Sequence, residues 1–510
     1  MPQKTYSNRR IAKNTGFLYV RMLLLLVISL YTSRVVLQVL GINDYGIYNV
    51  VNGFVVMFAF VNGALTTGTQ RHLSFELGKK DGEVAKIFSA CLKSHLLLAI
   101  VVLIVLETFG LWFLNTQMKI PIDRMPTVNI IYQISIISVL KDIIRAPFES
   151  SIIAYEKMGF YAYIGIIEAT LKLVMVFLID HINYDKLIIY AIIMLFISLC
   201  VFFSMLIYVR KKISDIRIVK IEDRSIYKFI FSFTGWTLFG AFAGVLETQG
   251  MNIIINIGWG VALNASVGVA TQVKTALYQF VSGFQKAINP QLVISESDGN
   301  KLRQVDLINK SSRFAFFLMF ILVLPLSANI YYVLNLWLDK VPHYSYHICL
   351  LLLFISLMEC LSYSLYTTIF AIGKIKQYQI IVAIIRLLSV VSAFIISKID
   401  VPPYCIFIAP CVSSVILLLY RVFYLINEGV FSFNEYIVNI IIPIVKVATI
   451  SIVPILFYKM FLAHYHSVLM LLLETIVFVV FVSFIVLQMG VKKEERQVLL
   501  NVLRQKFLLK

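Results

Sequence analysis

Long apolar segments recur along the whole chain, and each is long enough to cross a lipid bilayer as an α-helix. A hydrocarbon core of about 30 Å needs roughly 20 apolar residues at a rise of about 1.5 Å each. The segments also lack the two-residue alternation of apolar and polar side chains that marks outer-membrane β-strands. The sequence therefore predicts an all-α integral membrane protein with about 14 transmembrane helices. The predicted spans are 15–40, 46–70, 88–114, 127–150, 159–180, 187–209, 228–256, 263–290, 313–338, 344–371, 377–398, 403–426, 437–461 and 464–490.

The balance of apolar and charged residues excludes a water-soluble fold. Hydrophobic residues make up 60% of the chain and charged residues only 14%, whereas a soluble domain carries roughly a quarter charged residues. A net charge of +18 would indicate a nucleic-acid partner in a soluble protein. In a membrane protein the basic residues instead mark the cytoplasmic side, so we expect a lipid bilayer around the chain and no nucleic acid.

Basic residues are distributed unevenly between alternate loops. If the N-terminus is cytoplasmic, the inner loops and tails carry about 30 lysines and arginines, and the outer loops carry about 6. A missed or extra helix would mix these two sets of loops. The distribution therefore predicts about 14 spans with both termini in the cytoplasm.

The loops leave no room for a soluble catalytic domain, because the longest, around residues 208–228, is a short basic stretch. The sequence contains no GxxxxGK[ST] motif for nucleotide hydrolysis. Its 6 cysteines and 7 histidines show no CxxC or HExxH spacing, so no disulfide framework or zinc site is indicated. We therefore expect a protein that is not an enzyme and that holds no cofactor and no metal.

A weak internal repeat predicts the domain organisation. The first two predicted spans and the seventh and eighth each form a long helix, a short glycine-containing outer turn, and a second helix that ends in a polar inner segment. Transporters are often built from such repeats. The repeat predicts two pseudo-symmetric six-helix lobes, residues 1–225 and 226–428, followed by two further helices and a basic tail in residues 429–510.

The first outer turn carries the most recognisable motif, "RVVLQVLGINDYGIYNV" at residues 34–50. Its Arg34 is followed by Leu40–Gly41 and then by Tyr45–Gly46 and Tyr48. This pattern resembles the signature of polysaccharide flippases of the Wzx type, in the multidrug/oligosaccharidyl-lipid/polysaccharide exporter superfamily. Asn289–Pro290, at the end of the eighth span, resembles the proline that this family has at the equivalent point of its second half.

The resemblance implies a flippase of the bacterial inner membrane with two lobes around a central cavity. Its cargo would be an undecaprenyl-pyrophosphate-linked oligosaccharide, such as a repeat unit of O-antigen lipopolysaccharide or of capsule. Alternating access would move this cargo from the cytoplasmic to the periplasmic leaflet. In related lipid flippases the last two helices form a groove for the lipid tail. A gradient of H⁺ or Na⁺ would drive transport, and other polysaccharide-assembly membrane proteins are expected partners.

Basic side chains at membrane depth are the candidate contacts for an anionic cargo. A pyrophosphate in a low-dielectric cavity needs fixed cations, which arginine and lysine supply. The alternative is that each base extends to the membrane surface or is neutralised by a nearby acid. The basic residues at membrane depth are Arg21, Arg34, Lys93, Lys141, Lys172, Lys274, Lys286, Arg386 and Lys446.

We predict Arg21, Arg34, Lys141, Lys274 and Arg386 as substrate-binding residues. For Arg34, an equally good interpretation is that it reaches the outer interface. Lys141 is the weakest of the five, because Asp142, Arg145 and Glu149 follow it at helical spacing and favour a structural polar face. The remaining bases fit the alternative: Lys93 and Lys286 lie near cytoplasmic ends, and Glu168 and Lys172 are spaced to neutralise each other.

Two acids at membrane depth, Glu247 and Glu359, are the predicted ion-coupling residues. Counting depth at about 1.5 Å per residue matches Glu247 with Lys274 and Glu359 with Arg386, on consecutive antiparallel helices. Lys446 and Glu474 are matched poorly, by about 10 Å. Each matched pair either takes part in transport or is neutralised and structural. The glycines of the seventh span are candidate hinges or sites of close helix packing; they are Gly235, Gly240, Gly244 and Gly250.

Two other functions remain open from the sequence. A multidrug or cation antiporter of the same superfamily would need an acid-dominated cavity, whereas bases at membrane depth slightly outnumber acids here. A membrane-embedded polysaccharide polymerase or ligase would be expected to carry a sizeable periplasmic loop with catalytic residues. The predicted outer loops are all short, so this second alternative is the weaker one.

Overall fold

The computed structural model describes most of the chain. The described residues are 8–59, 69, 73, 76, 77, 83–155, 157–179, 182, 184–220, 225–297, 299–461 and 468–497. For 8–26, 225–239 and several shorter stretches, the backbone alone is described. Within this described part the chain consists of helices joined by short turns, and no β-strand occurs. The all-α prediction is therefore confirmed.

The helices divide between two compact units. The first unit comprises residues 1–272, 338–345 and 376–406, and the second comprises 273–337, 346–375 and 407–510. The helices that begin in the first unit are α1 Asn8–Val56, α2 Val84–Val105, α3 Leu111–Thr116, α4 Met125–Ala154, α5 Met158–Ile179, α6 Lys186–Lys212, α7 Ser225–Trp259 and α8 Val261–Ser297, of which α8 continues into the second unit. The helices that follow along the chain are α9 Lys301–Ala328, α10 Ile330–Trp337, α11 Ser345–Ile372, α12 Ile375–Ile396, α13 Ile408–Asn427, α14 Phe433–Tyr436, α15 Ile442–Phe461 and α16 Val468–Ile485. All of these later helices belong to the second unit except α12, which belongs to the first from residue 376 onward, and Ser345, the first residue of α11, which also belongs to the first.

Long apolar helices confirm that the protein crosses the membrane several times. Each predicted span overlaps a described helix, the second of them only through the last residues of α1. Within the described ranges, nine segments are long and apolar enough to cross a membrane. These are Val84–Thr116, Ile122–Ala154, Lys186–Lys212, Lys301–Ala328, Ser345–Ile372, Ile375–Ile396, Pro403–Asn427, Phe433–Met460 and Leu469–Gly490. The division into lobes at residues 225 and 428 stays a prediction.

Glycines form the two sharp turns that the internal repeat predicts. Gly41 interrupts α1 with φ 76° and ψ 173°, and Gly260 joins α7 to α8 with φ 85°. A positive φ is costly for residues with a Cβ and is easily adopted by glycine. The motif that follows Gly41 is therefore a helix–turn–helix hairpin, as is the segment around Gly260.

The two hairpins pack against each other within the first unit. A Cβ added at Gly46 would overlap the carbonyl oxygen of Val261. A Cβ added at Gly268 would lie 2.7 Å from Nδ2 of Asn49. Because small residues let helix backbones approach closely in membranes, Tyr45–Gly46 of the motif is explained by packing as well as by family resemblance.

Apolar side chains from several neighbouring helices surround the second arm of α1. Ile47, Val50 and Phe54 are almost fully buried and share one core cluster with residues of α2, α4 and α6. Phe54 stacks on Phe113 with ring centroids 5.3 Å apart. This core fixes the position of the hairpin in the first unit.

A charged cluster joins the turn of α1 to the starts of α4 and α6. Arg124 donates from Nη2 to Asp44 Oδ2 at 2.5 Å and from Nη1 to Asp185 Oδ2 at 2.8 Å. Asp185 also accepts from the Thr127 hydroxyl at 2.9 Å and from the backbone N–H of Leu187 at 3.0 Å, so it caps α6. Burial opposes ionisation of Asp185, but these hydrogen bonds prevail and lower its pKa.

Candidate functional site

The two predicted arginines of α1 are described to different extents. The backbone of Arg21 is helical, but its side chain lies outside the described part of the chain. Arg34 is half-buried and precedes the Gly41 turn, and no acid of the described residues forms an ion pair with it. Both of its interpretations, a cargo contact and a contact with the outer interface, stay predictions.

Lys141 lies in the predicted chain of charges on α4. Its side chain is 5% exposed, and Nζ lies 3.0 Å from Asp142 Oδ1. Arg145 continues the chain, with contacts of 3.5 Å to Asp142 and to Glu149. The predicted polar face is confirmed. A role for Lys141 in binding stays a prediction, and burial with a partner favours the structural interpretation.

The structure pairs the two predicted cargo-binding cations with different acids from those that depth predicted. Lys274 Nζ on α8 lies 3.1 Å from Glu359 Oε1 on α11. Arg386 Nε on α12 lies 3.7 Å from Glu247 Oε2 on α7. The predicted partners, Glu247 for Lys274 and Glu359 for Arg386, are therefore wrong. Depth along a helix predicted the heights of the charges, but it carries no information on which helices are neighbours.

Gly244 and Gly240 of α7 lie directly against two polar side chains of α12. A Cβ at Gly244 would overlap Nη1 of Arg386, and a Cβ at Gly240 would overlap Oε1 of Gln379. A Cβ at Gly250 would make an ordinary contact of 3.5 Å with Val390. Of the two interpretations of these glycines, close packing is thus the one observed at Gly240 and Gly244. Gly235 lies where the structure describes the backbone alone.

Hydrogen bonds of buried groups hold the helices that carry Lys274 and Glu359. Gln285 of α8 is 1% exposed and donates from Nε2 to the carbonyl of Cys360, next to Glu359, at 3.3 Å. Tyr278, one turn after Lys274, donates its hydroxyl to Gln285 Oε1 at 3.2 Å. These bonds fix the relative height of Lys274 and Glu359 in the second unit.

The other membrane-depth charges largely follow the sequence-based interpretation. Glu168 and Lys172 pair at 2.6 Å, as predicted. Lys446 is exposed, and Glu474 pairs with Lys459 at 2.7 Å, so the poor match of Lys446 with Glu474 is confirmed. Lys93 is exposed, whereas the side chains of Lys286, Asn289 and Pro290 lie outside the described part.

A buried ion pair that the sequence did not indicate anchors the C-terminal segment. Arg313 of α9 is 1% exposed and donates from Nη2 to both carboxylate oxygens of Glu495 at 2.5 Å. Its Nη1 also donates to the carbonyl of Asn439 at 3.3 Å. Arg313 stands at the first position of a predicted span and Glu495 lies 182 residues further along. Spacing along the sequence therefore gave no signal for this pair.

Gln379 is a second group that sequence reasoning missed. It is 6% exposed, and no hydrogen bond to it occurs among the described residues. A single neutral amide in an apolar segment gives little signal in the sequence. Its helical spacing of seven from Arg386 was the available clue, since residues seven apart share one face of a helix.

Solved structures of membrane transporters share the fold of this chain. The lipid II flippase MurJ, in an inward closed conformation, matches with a TM-score of 0.68 at 14% sequence identity, covering 91% of this chain and 97% of the flippase. An inward-facing multidrug resistance MATE family transporter of the MOP superfamily matches with a TM-score of 0.66 at 13% identity, covering 80% of this chain and 98% of the transporter. An outward-facing MATE family transporter matches with a TM-score of 0.55 at 12% identity, covering 79% and 98%. No protein-family model matches the sequence, and no curated protein matches it either.

These matches span most of this chain and nearly all of each neighbour. Identities of 14% or less show the fold alone. The protein is therefore a multi-pass membrane protein whose fold is shared with a MATE family drug transporter and with a lipid II flippase.

Proposed function

We propose that the protein is a flippase of the bacterial inner membrane for undecaprenyl-pyrophosphate-linked oligosaccharide. It moves a repeat unit of O-antigen or capsule from the cytoplasmic to the periplasmic leaflet by alternating access, and it makes and breaks no covalent bond. Its termini lie in the cytoplasm. The transporter fold supports movement of a substrate across the membrane, and the charges within that fold support an anionic substrate.

The observation that carries the proposal is the state of Arg386. Its side chain is 27% exposed in a segment apolar enough to cross the membrane. Its Nε is buried and has no hydrogen-bond partner among the described residues. Glu247 lies 3.7 Å away, beyond hydrogen-bond distance. A guanidinium has five N–H donors and binds phosphate oxygens in pairs, so the exposed part of this side chain keeps donors for a phosphate beside its contact with Glu247.

Lys274 supports the same interpretation in the second unit. Its ammonium is 19% exposed and lies 3.1 Å from Glu359, whose side chain is 42% exposed. A lysine at membrane depth is costly and indicates function more often than structure. An ammonium has three donors, and one carboxylate at this distance leaves donors for a second anion.

The extent of the structural matches favours a lipid flippase over a drug antiporter. The match with lipid II flippase covers 91% of this chain, and that with the inward-facing drug transporter covers 80%. The difference is close in size to a pair of membrane helices, such as α15 and α16. A pair of helices beyond a twelve-helix core is what the sequence predicted for a lipid-tail groove.

Glu247 and Glu359 are the proposed ion-coupling groups. Each contacts one proposed cargo-binding cation, so protonation or Na⁺ binding at the carboxylate would release that cation to the pyrophosphate. Coupling to H⁺ or Na⁺ is proposed from the family resemblance, together with the absence of a nucleotide-hydrolysing motif in the sequence. Other membrane proteins of polysaccharide assembly are also proposed partners, because they would supply or use the same lipid-linked oligosaccharide.

Accumulation of lipid-linked oligosaccharide in cells tests the proposal. In a strain that lacks the protein, we expect the oligosaccharide to stay on the cytoplasmic leaflet, out of reach of an impermeant label added to spheroplasts. Wild-type protein and the Arg303→Ala variant, which removes an exposed arginine of α9, should restore labelling. Arg386→Ala should not restore it at equal protein level.

Two outcomes would overturn the proposal. The first is full labelling in the strain that lacks the protein. The second is uptake of a cationic dye, driven by H⁺ or Na⁺, by membranes that contain the protein but leave the lipid-linked oligosaccharide unmoved. The second outcome would favour the antiporter.

A further inference from the structure

Three polar side chains of α12 have no hydrogen-bond partner among the residues that the structure describes. Gln379 and Ser389 are 6% and 5% exposed, and the Ser389 hydroxyl is buried. Nε of Arg386 is buried as well. Buried polar groups in folded proteins are nearly always hydrogen-bonded. Arg386 Nε and Ser389 Oγ are two such unsatisfied buried atoms on one helix, and they indicate a ligand for that helix.

These three groups lie along one face of α12. At 100° per residue, Gln379 and Arg386 point within about 20° of each other, and Ser389 is displaced by about 60° from Arg386. At 1.5 Å per residue, Ser389 lies about 4.5 Å from Arg386 along the helix and Gln379 about 10 Å in the other direction. The three groups form a polar track, which is the name used below for Gln379, Arg386 and Ser389.

Glycines of α7 fix the position of two of these side chains. Gly240 faces Gln379 and Gly244 faces Arg386, each so closely that a Cβ would overlap the polar head group. The two glycines are four residues apart and share one face of α7. The missing side chains make the room in which the amide and the guanidinium lie, so the track is a built feature and not a chance exposure.

We propose that the polar track of α12 binds the head group of the cargo, with pyrophosphate at Arg386 and Ser389 and the adjoining sugar at Gln379. This inference rests on the proposed function and extends it to a sugar-contacting residue. Arg386 and Ser389 lie about 4.5 Å apart along the helix, and both can donate hydrogen bonds to anionic oxygens. The carboxamide of Gln379 both donates and accepts, which suits sugar hydroxyl and acetamido groups but gives no advantage with a second anion.

Binding of two lipids that differ only in the sugar tests the assignment. The probes are undecaprenyl pyrophosphate and undecaprenyl-pyrophosphate-linked oligosaccharide, titrated onto purified full-length protein in lipid nanodiscs. Gln379→Leu should weaken binding of the oligosaccharide-carrying lipid about tenfold, the equivalent of one good hydrogen bond, and leave binding of the sugar-free lipid unchanged. Ser389→Ala should weaken both by a similar factor.

The glycines supply a matched pair of variants. Gly244→Ala should weaken binding of both lipids at least tenfold, because the guanidinium must move. Gly250→Ala, whose added Cβ meets Val390 at 3.5 Å, should leave both unchanged. Since Gln379→Leu removes polarity without adding volume, it tests the track even if Gly244→Ala fails to fold.

The outcomes separate this inference from the proposed function. If wild-type protein binds both lipids and Gln379→Leu affects neither, or affects both equally, the sugar assignment is wrong while the flippase proposal stands. If wild-type protein binds neither lipid above the level of empty nanodiscs, the proposed function fails, and the track then has another ligand.

Discussion

Removal of the Glu495 carboxylate is expected to destabilise the second unit strongly. Glu495 makes a two-oxygen ion pair with Arg313, whose side chain is 1% exposed. In Glu495→Ala, the guanidinium would stay buried without an anion. Breaking a buried pair by removing one partner costs about 3–5 kcal/mol. Because Glu495 is itself 11% exposed, water can enter the vacated space, so we expect the lower end, about 3 kcal/mol.

The control is Glu494→Ala, the neighbouring and exposed glutamate. An exposed acid contributes about 0–1 kcal/mol through surface pairing. Unfolding of purified protein in detergent, followed by helical circular dichroism during a denaturant titration, measures both variants under the same conditions. The expected difference between Glu495→Ala and Glu494→Ala is therefore at least about 2 kcal/mol.

A double variant separates the effect of a buried charge from loss of packing. Arg313→Met combined with Glu495→Leu replaces the pair by apolar side chains of similar size. Such replacements are often neutral or stabilising, so the double variant should recover most of the stability lost in Glu495→Ala. Equal stability of Glu495→Ala and Glu494→Ala, or a double variant less stable than Glu495→Ala, would refute the buried-pair reasoning.

Three further changes test the packing, charge and pH dependence of the fold. Gly46→Ala should sharply lower the yield of folded protein in size-exclusion chromatography, because its Cβ would overlap a backbone carbonyl of α8. The control Gly159→Ala, whose Cβ would meet nothing within 4 Å, should leave the yield unchanged. Equal yields of the two variants would contradict this reasoning. Lys274→Ala and Arg386→Ala should each abolish surface polysaccharide at unchanged membrane levels on immunoblots, and full polysaccharide in both would refute the cation model. The pKa of Asp185 is lowered in the folded protein, so its stabilising contribution is present above the unfolded value of about 3.9 and is lost as pH falls below it. Thermal unfolding of wild type and Asp185→Asn should therefore differ at pH 7 and converge as pH falls below about 3.9 and through the lowered pKa of Asp185; a constant difference would contradict the assignment.

Hydropathy and loop charge carry most of the information about the fold in this chain. The predicted spans overlap described helices because a bilayer requires long apolar segments whatever their packing. The Gly41 turn was predictable too, since its glycine lies between two such segments. Periodicity also identified the charge chain of α4 and the Glu168–Lys172 pair, because both are local along one helix.

Contacts between helices far apart in the sequence were not predictable in the same way. Lys274 and Arg386 were assigned the wrong partners, since height along a helix does not determine which helices are neighbours. The Arg313–Glu495 pair and the contact of Gly240 with Gln379 were not predicted, for the same reason. Each of these contacts depends on how a helix is rotated about its axis and on which helix lies beside it. Packing sets the rotation and the neighbour, and a single sequence does not display that packing.

Transport by the purified protein tests the central claim most directly. The protein is reconstituted into sealed vesicles that carry undecaprenyl-pyrophosphate-linked oligosaccharide on the inner leaflet only, and arrival on the outer leaflet is followed with an impermeant sugar-binding label. We predict that an imposed H⁺ or Na⁺ gradient increases the rate of labelling above that of protein-free vesicles, and that Arg386→Ala removes the increase. Labelling at the protein-free rate under both gradients, or equal rates with Arg386→Ala, would contradict a flippase whose cargo is bound by its membrane-depth cations.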